Sequence, residues 1–182
     1  MINVHIGSML SVTEKAILVH GCNTFGVMGS GIAVAIKEKY PKAFGRYERQ
    51  HRNRGLKLGE VVPHFHIPEG YGGFNGLIIA NAITQTDTKK GPKDEKRYAN
   101  YWAIRKAFQD INGLNQMYFF GDLPVHFPLI GCGLANGDWT IVSQIIDEMI
   151  PDTTGKHLWI LDEADLGKAM KTPAPSDRFK ME

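Results

Sequence analysis

The sequence predicts an α/β fold with a largely parallel sheet, on three observations. Strand-like and helix-like patterns alternate along the 182 residues. Two glycine-rich loops each hang on the end of an apolar run. Each loop then runs at once into a helical pattern. Alternation of this kind implies parallel strands joined by right-handed helical crossovers. In such sheets ligands bind outside the C-terminal ends of the strands, which is where both loops fall.

Taken in order, Ile2-Asn3-Val4-His5-Ile6 alternates and reads as a first strand. Ala16 to His20 is an apolar, partly β-branched run and reads as a buried strand. From Gly29, apolar residues recur at Ile32, Ile36 and Tyr40, with Ala33 beside them, a helical face that Pro41 stops. Val61 to Phe65 and Leu77 to Ile83 predict further strands, the second apolar enough to be central. Tyr98, Tyr101, Ile104, Phe108 and Ile111 repeat at three and four residues and predict an amphipathic helix over 96–111. Val125 to Leu129 reads as a short strand with Pro128 near its end, and Asn112 to Leu123 fits strand, helix end or packed loop equally. Ile141, Ile145, Ile146 and Met149 mark a third helix, stopped by Pro151, and His157 to Leu161 a last strand. The expected domain is therefore 1–162, with 163–182 a polar, Pro-rich tail or edge extension.

Composition narrows the classes. A chain of this length with 43% hydrophobic and 22% charged residues is most simply one globular domain. A net charge of +2 is too small to argue for a nucleic-acid groove. The basic run from Lys89 to Arg97 reads as a solvated loop. No stretch approaches the roughly 18 apolar residues of a membrane span, and no secretory signal is visible. The two cysteines sit inside the glycine loops, where a disulfide would clamp them shut. The expectation is a reduced, cytoplasmic protein, monomeric and with no membrane partner.

The loops carry the chemistry. The first runs His20-Gly21-Cys22-Asn23-Thr24-Phe25-Gly26-Val27-Met28-Gly29-Ser30-Gly31, and the second Ile130-Gly131-Cys132-Gly133-Leu134-Ala135-Asn136-Gly137-Asp138-Trp139. Glycines between a strand and a helix let backbone N–H groups converge on an anion. One such loop suggests a phosphate, and two suggest a diphosphate held between them. The nucleotide P-loop fails, because Gly31 is followed by Ile32-Ala33 and not Lys-Ser/Thr. The dinucleotide pattern fails too: Gly29 to Val34 lacks its third glycine, and Gly131, Gly133 and Gly137 are spaced one residue too wide. His64 and His66 share one side of a strand, but no third metal ligand accompanies them, so no metal and no cofactor are expected.

What the loops do resemble is the macro domain family. Its hallmark is an Asn closing the second strand, here Asn23, then a glycine-rich turn into a helix, here Gly26 to Ala33 and on to Tyr40-Pro41. Gly131-Cys132-Gly133-Leu134, with Asp138-Trp139 at the next helix start, resembles the family's other phosphate loop. The order of elements agrees from Ile2 to about Asp162. The resemblance implies a three-layer α/β/α domain with a mixed, mostly parallel sheet that binds ADP-ribose. It implies that Ile130, Gly131, Cys132, Gly133 and Leu134 wrap the diphosphate from one side. Gly26, Val27, Met28, Gly29, Ser30 and Gly31 would close from the other, with the Asn23 amide aimed at the distal ribose. Ser8 and Met9 would stand near adenine. Many members carry Asp where this chain has Ser8, which removes a charged acceptor from the base.

Within the family the chain is similar to the branch that includes yeast and phage-type ADP-ribose-1″-phosphate phosphatases. That branch has a His three residues before the asparagine, as His20 is here. The resemblance implies His20 and Asn23 as catalytic residues and ADP-ribose-1″-phosphate as substrate, and Asp87, in the loop after the fourth strand, is the acidic partner that the sequence offers as a third catalytic residue. Lysine-dependent ADP-ribosyl hydrolases carry a Lys and an Asp where this chain has Gln85 and Ala135, which leaves only Lys89 or Lys90 to reach in. Two alternatives stand beside the phosphatase: a binding module for ADP-ribose without turnover, and an enzyme that removes ADP-ribose from an ADP-ribosylated protein or nucleic acid. Asp138 is expected to cap a helix.

Overall fold

A computed structural model describes residues 1–67, 76–88, 91, 93–119, 121 and 123–169. Its six strands are β1 (Ile2–Ile6), β2 (Ala16–Asn23), β3 (Val61–His66), β4 (Leu77–Gln85), β5 (Val125–Phe127) and β6 (Lys156–Ile160). They form one sheet in the order β1-β6-β5-β2-β4-β3. All neighbours are parallel except β3 and β4. The expected α/β fold with a mixed, mostly parallel sheet is what forms.

Helices cover both faces. On one lie α1 (Ile32–Lys39) and α2 (Pro41–Arg54). On the other lie α3 (Tyr101–Phe119) and α4 (Trp139–Met149), followed by α5 (Glu163–Ala169). Alternate residues of β2 serve the two cores. Ile17 and Val19 join Ile104, Phe108, Ile145 and Ile146 beneath α3 and α4, whereas Ala16 and Leu18 meet Ile36, Tyr40 and Ala43 beneath α1 and α2. Both faces of β2 and β4 are therefore buried, the pattern of a central parallel strand.

Three elements differ from expectation. Pro41 does end α1, but it also starts α2 as that helix's first residue, where a proline lacks nothing the helix needs. The helix over 96–111 begins only at Tyr101 and continues to Phe119. The segment before it is extended, and Tyr98 and Ala99 donate their amides to the Ala135 carbonyl at 2.8 and 3.0 Å. The tail is not irregular from Glu163: residues 163–169 form α5, and Leu166 packs against the main core. The rest of the predicted tail, 170–182, lies outside the described residues, as do Lys89 and Lys90.

The long C-terminal reach of α3 is fixed by one polar residue. Asn115, fully buried, donates to the Leu123 carbonyl at 2.9 Å and accepts the Leu123 amide at 3.3 Å. This docks the helix end against the entry to β5, and so sets where the second glycine loop starts. Asn115→Leu strands both Leu123 groups in the core. It should cost about 2–4 kcal/mol, read as a drop in urea midpoint, and a loss under about 0.5 kcal/mol would contradict this anchoring.

Candidate functional site

Strands β5 and β2 are parallel neighbours, so their C-terminal ends open side by side. The loop after β2 thus stands beside the loop after β5. They touch at their roots: a Cβ on Gly21 would lie 3.3 Å from Ile130 Cγ1 and 2.9 Å from Thr84 Oγ1. The Thr84 hydroxyl, which sequence reading passed over, is buried there with no hydrogen-bond partner among the described residues.

The first loop is shaped from within by Asn23. Its Oδ1 accepts the Phe25 amide at 3.0 Å and the Val27 amide at 3.5 Å, and its Nδ2 donates to the Val27 carbonyl at 2.9 Å. From below, the Tyr47 hydroxyl of α2 donates to the Asn23 carbonyl at 2.6 Å and lies 3.1 Å from Oδ1. Gly26 sits so close to α2 that a Cβ would meet His51 at 2.7 Å. The result is a turn that leaves the amides of Met28, Gly29, Ser30 and Gly31 without partners among the described residues, at the mouth of α1.

The second loop is held by packing. Gly137 donates its amide to the Gly131 carbonyl at 2.8 Å, and a Cβ on Gly137 would lie 2.6 Å from that oxygen. Asn136, with φ 56°, adopts a backbone that Asn tolerates better than other non-glycine residues. Its Nδ2 donates to the carbonyls of Asp94 and Lys96 at 3.0 and 2.9 Å. Gly133, Leu134 and Ala135 keep amides without partners among the described residues.

The glycines therefore divide by purpose. Gly26, Gly131 and Gly137 are required by backbone angle or by contact with the protein itself. Gly29 and Gly133 have ordinary φ, and a Cβ on either would meet nothing within 4 Å. Neither packing nor conformation demands them, so what they preserve is open approach to bare amides. Phe25 and Val27 on one loop and Leu134 on the other are exposed apolar side chains that flank this cleft.

The remaining predicted residues fall in two groups. Ser8 Oγ accepts the Leu10 amide at 3.2 Å and caps a short 3₁₀ turn at Met9–Ser11. Met9, Met28, Ile130 and Cys132 are buried, so their side chains belong to the cores and only their backbones could reach a ligand. Asp138 caps α4 through the Thr140 amide at 2.8 Å. Asp87 accepts the Thr88 amide at 2.8 Å, and Gln85 donates to the Asp87 carbonyl at 2.7 Å. Their segment is tied to the first loop, because Thr24 Oγ1 donates to the Thr86 carbonyl at 3.2 Å. Both cysteines are free thiols, and burial pushes the Cys22 thiol well above its usual range. His66 meets the Tyr40 ring edge-on, and the described residues contain no group of three metal-ligating side chains that could hold an ion.

His20 requires a correction. It is fully buried on the α2 face of the sheet, opposite Asn81 of β4. Asn81 Nδ2 donates to the Val62 carbonyl at 2.9 Å and approaches the Ala43 carbonyl at 3.4 Å, so its Oδ1 must face His20. Nε2 of His20 therefore carries the proton and donates it to that oxygen at 2.7 Å. A ring sealed in this way cannot pass a proton to a ligand in the cleft. It is a positioning residue that joins β2, β4 and α2.

Burial lowers His20 from 6.5 to about 4, and His126, pushed the same way by burial and by His157 and His5, also falls to about 4. The unfolded chain takes up protons between these values that the folded chain refuses. The stability this confers is complete above pH 6.5 and is lost as pH falls toward 4. Between pH 7 and 5, His20→Gln should lose less stability than wild type, by up to about 2 kcal/mol, measured by urea unfolding. Parallel losses in the two proteins would show that His20 does not fold neutral.

Comparison with known proteins agrees with this geometry. The Macro domain model matches residues 19–146. An ADP-ribose 1″-phosphate phosphatase of Candida albicans is 43% identical over 137 residues, covering 74% of this chain and 82% of that protein. A second protein of that name, from Lodderomyces elongisporus, is 25% identical over 82% of this chain and 89% of its own. Among solved structures, the macrodomain of Mycobacterium tuberculosis DarG superposes with a TM-score of 0.68 at 24% identity, over 87% of this chain and 97% of that one. With the hallmark asparagine, both glycine loops and the strand order in place, the chain belongs to the macro domain family.

Proposed function

We propose that this protein binds ADP-ribose between its two glycine loops and hydrolyses ADP-ribose 1″-phosphate to ADP-ribose and inorganic phosphate. The observation that carries the reading is the pair of bare amide arrays at 28–31 and 133–135, on neighbouring loops, in which Gly29 and Gly133 are demanded by neither packing nor backbone angle. Neutral N–H donors offered by two neighbouring loops suit a diphosphate, whose two phosphates can each take one array. The relative of C. albicans, which spans most of both chains, supports the phosphatase over other reactions.

In this reading the diphosphate lies across the loops, with Val27 and Leu134 against the sugars. One N–H of Asn23 is committed to Val27, and the other is available to a ribose hydroxyl. Water attacks the terminal phosphorus, the bond from phosphorus to the anomeric oxygen breaks, and that oxygen takes up a proton. With His20 sealed, Asp87 is the carboxylate beside the cleft that can orient the water and accept its proton. The lysine route to macromolecule-bound ADP-ribose finds Gln85 and Ala135 where it needs Lys and Asp.

Two measurements test this. Gly133→Val should weaken calorimetric ADP-ribose binding by more than about tenfold, with thermal stability unchanged, because it fills only open space. In a phosphate-release assay on ADP-ribose 1″-phosphate, Asp87→Asn should lower kcat about 10²-fold or more, while its ADP-ribose affinity stays near wild type. Binding without phosphate release from the wild type would leave a capture module and sink the hydrolytic part.

A further inference from the structure

The described end of the basic run, residues 93–97, keeps Lys93, Glu95 and Lys96 exposed, as a solvated loop would, yet its backbone is fastened to the second glycine loop. Residues 94–99 lie extended along the second glycine loop, fastened by four hydrogen bonds: Tyr98 and Ala99 amides to the Ala135 carbonyl, and Asn136 Nδ2 to the carbonyls of Asp94 and Lys96. Ala99 is wedged against that loop, 3.2 and 3.0 Å from where Cβ atoms on Gly131 and Gly137 would stand. This segment walls a cavity of about 450 Å³, lined by Thr86 and Asp87 just after the end of β4 and by residues 96–102.

Three features of this cavity favour an anion. Lys96 and Arg97 bring two cationic side chains, the first over the Tyr98 ring at 5.3 Å and the second over the Tyr101 ring at 4.6 Å. Both stems are thereby aligned rather than loose in solvent. The cavity also receives the first turn of α3, a 19-residue helix whose start is capped by Asn100 Oδ1 accepting the Ala103 amide at 2.9 Å. A helix start adds partial positive charge. The third feature is position: the Thr86 carbonyl is bonded to Thr24 at the root of the first glycine loop, and Ala99 packs on Gly131 and Gly137 of the second, so the cavity stands beside the roots of both loops.

We propose that this cavity receives the terminal phosphate of ADP-ribose 1″-phosphate, with Lys96 and Arg97 as the side chains that bind it. The inference rests on the proposed binding of ADP-ribose between the loops and extends it to substrate selection. The loop amides hold the diphosphate, which substrate and product share. The two cations hold the group that only the substrate carries. Asp87 lines the same cavity, so its carboxylate would then be near the phosphorus and the attacking water.

The test compares substrate and product on one protein. Phosphate release from ADP-ribose 1″-phosphate is measured for wild type and K96A/R97A, with ADP-ribose as competitive inhibitor. The double variant should lose at least about tenfold in kcat/KM, while the inhibition constant of ADP-ribose moves less than about twofold. R97K should recover part of the loss, because it restores the charge without the planar fork. K96A alone, whose side chain is exposed, should shift kcat/KM in the same direction even if the double variant fails to fold. Unchanged kcat/KM, or an equal weakening of ADP-ribose, overturns the proposal. If wild type releases no phosphate, the hydrolytic reading fails by itself, and calorimetry with both ligands decides this one. A wild-type preference for the phosphorylated ligand that vanishes in the variants supports it, and equal affinities in wild type overturn it.

Discussion

The site depends on β2 lying between β5 and β4, parallel to both. Parallel neighbours end on the same side of a sheet, so the loops that leave them open side by side. The register supplies the rest. β2 pairs with β4 along its whole length, with an irregularity at Cys22/Asn23, and so the strand carries its closing asparagine to the rim. β5 is only three residues long, which starts the second loop deeper, at the level of Gly21. Two amide arrays on unrelated stretches of sequence come to face one cleft because three strands share a direction.

Much of this was legible in the sequence. β1, β2, β4 and β6 read correctly because runs of apolar or alternating residues bounded by turn formers have few other uses. The loops fall between strand and helix as expected, because glycines at 26, 29, 31, 131, 133 and 137 interrupt both kinds of periodicity. Helix α2 did not read, since only Ala43 and Tyr47 are fully buried along its 14 residues and the rest is strongly polar. The start of α3 misled for a different reason. Tyr98 falls three residues before Tyr101, a helical spacing, but its hydroxyl donates to Asp94 and its backbone belongs to the Ala135 carbonyl. Periodicity cannot tell an apolar residue facing a core from one facing a loop.

His20 shows where side-chain chemistry outruns sequence. A histidine three residues before a site asparagine suggests proton transfer, and nothing in its neighbours argues otherwise. What decides is the residue across the strand pair, Asn81, about sixty positions away, together with the helix that covers both. Asn81 and Tyr47 are the two residues that matter most to the first loop and that no local pattern revealed. Each acts from the floor of the sheet or the covering helix, and each is buried with its polar group paired, because one left unpaired there would be costly.

On the proposed reading, the cleft and the cavity beside it would hold anions by different physics. Bare amides carry no net charge, so an empty cleft creates no desolvated ion and needs no counter-charge. They suit a diphosphate that must be bound as substrate and released in product. A terminal phosphate monoester carries more charge on one group, and if the protein is a phosphatase that group departs as inorganic phosphate. Side chains such as Lys96 and Arg97, half in solvent and stacked on tyrosines, can meet that charge and let it go. A net charge of +2 over the chain fits the proposal, which asks for two placed cations at one edge and no broad basic surface.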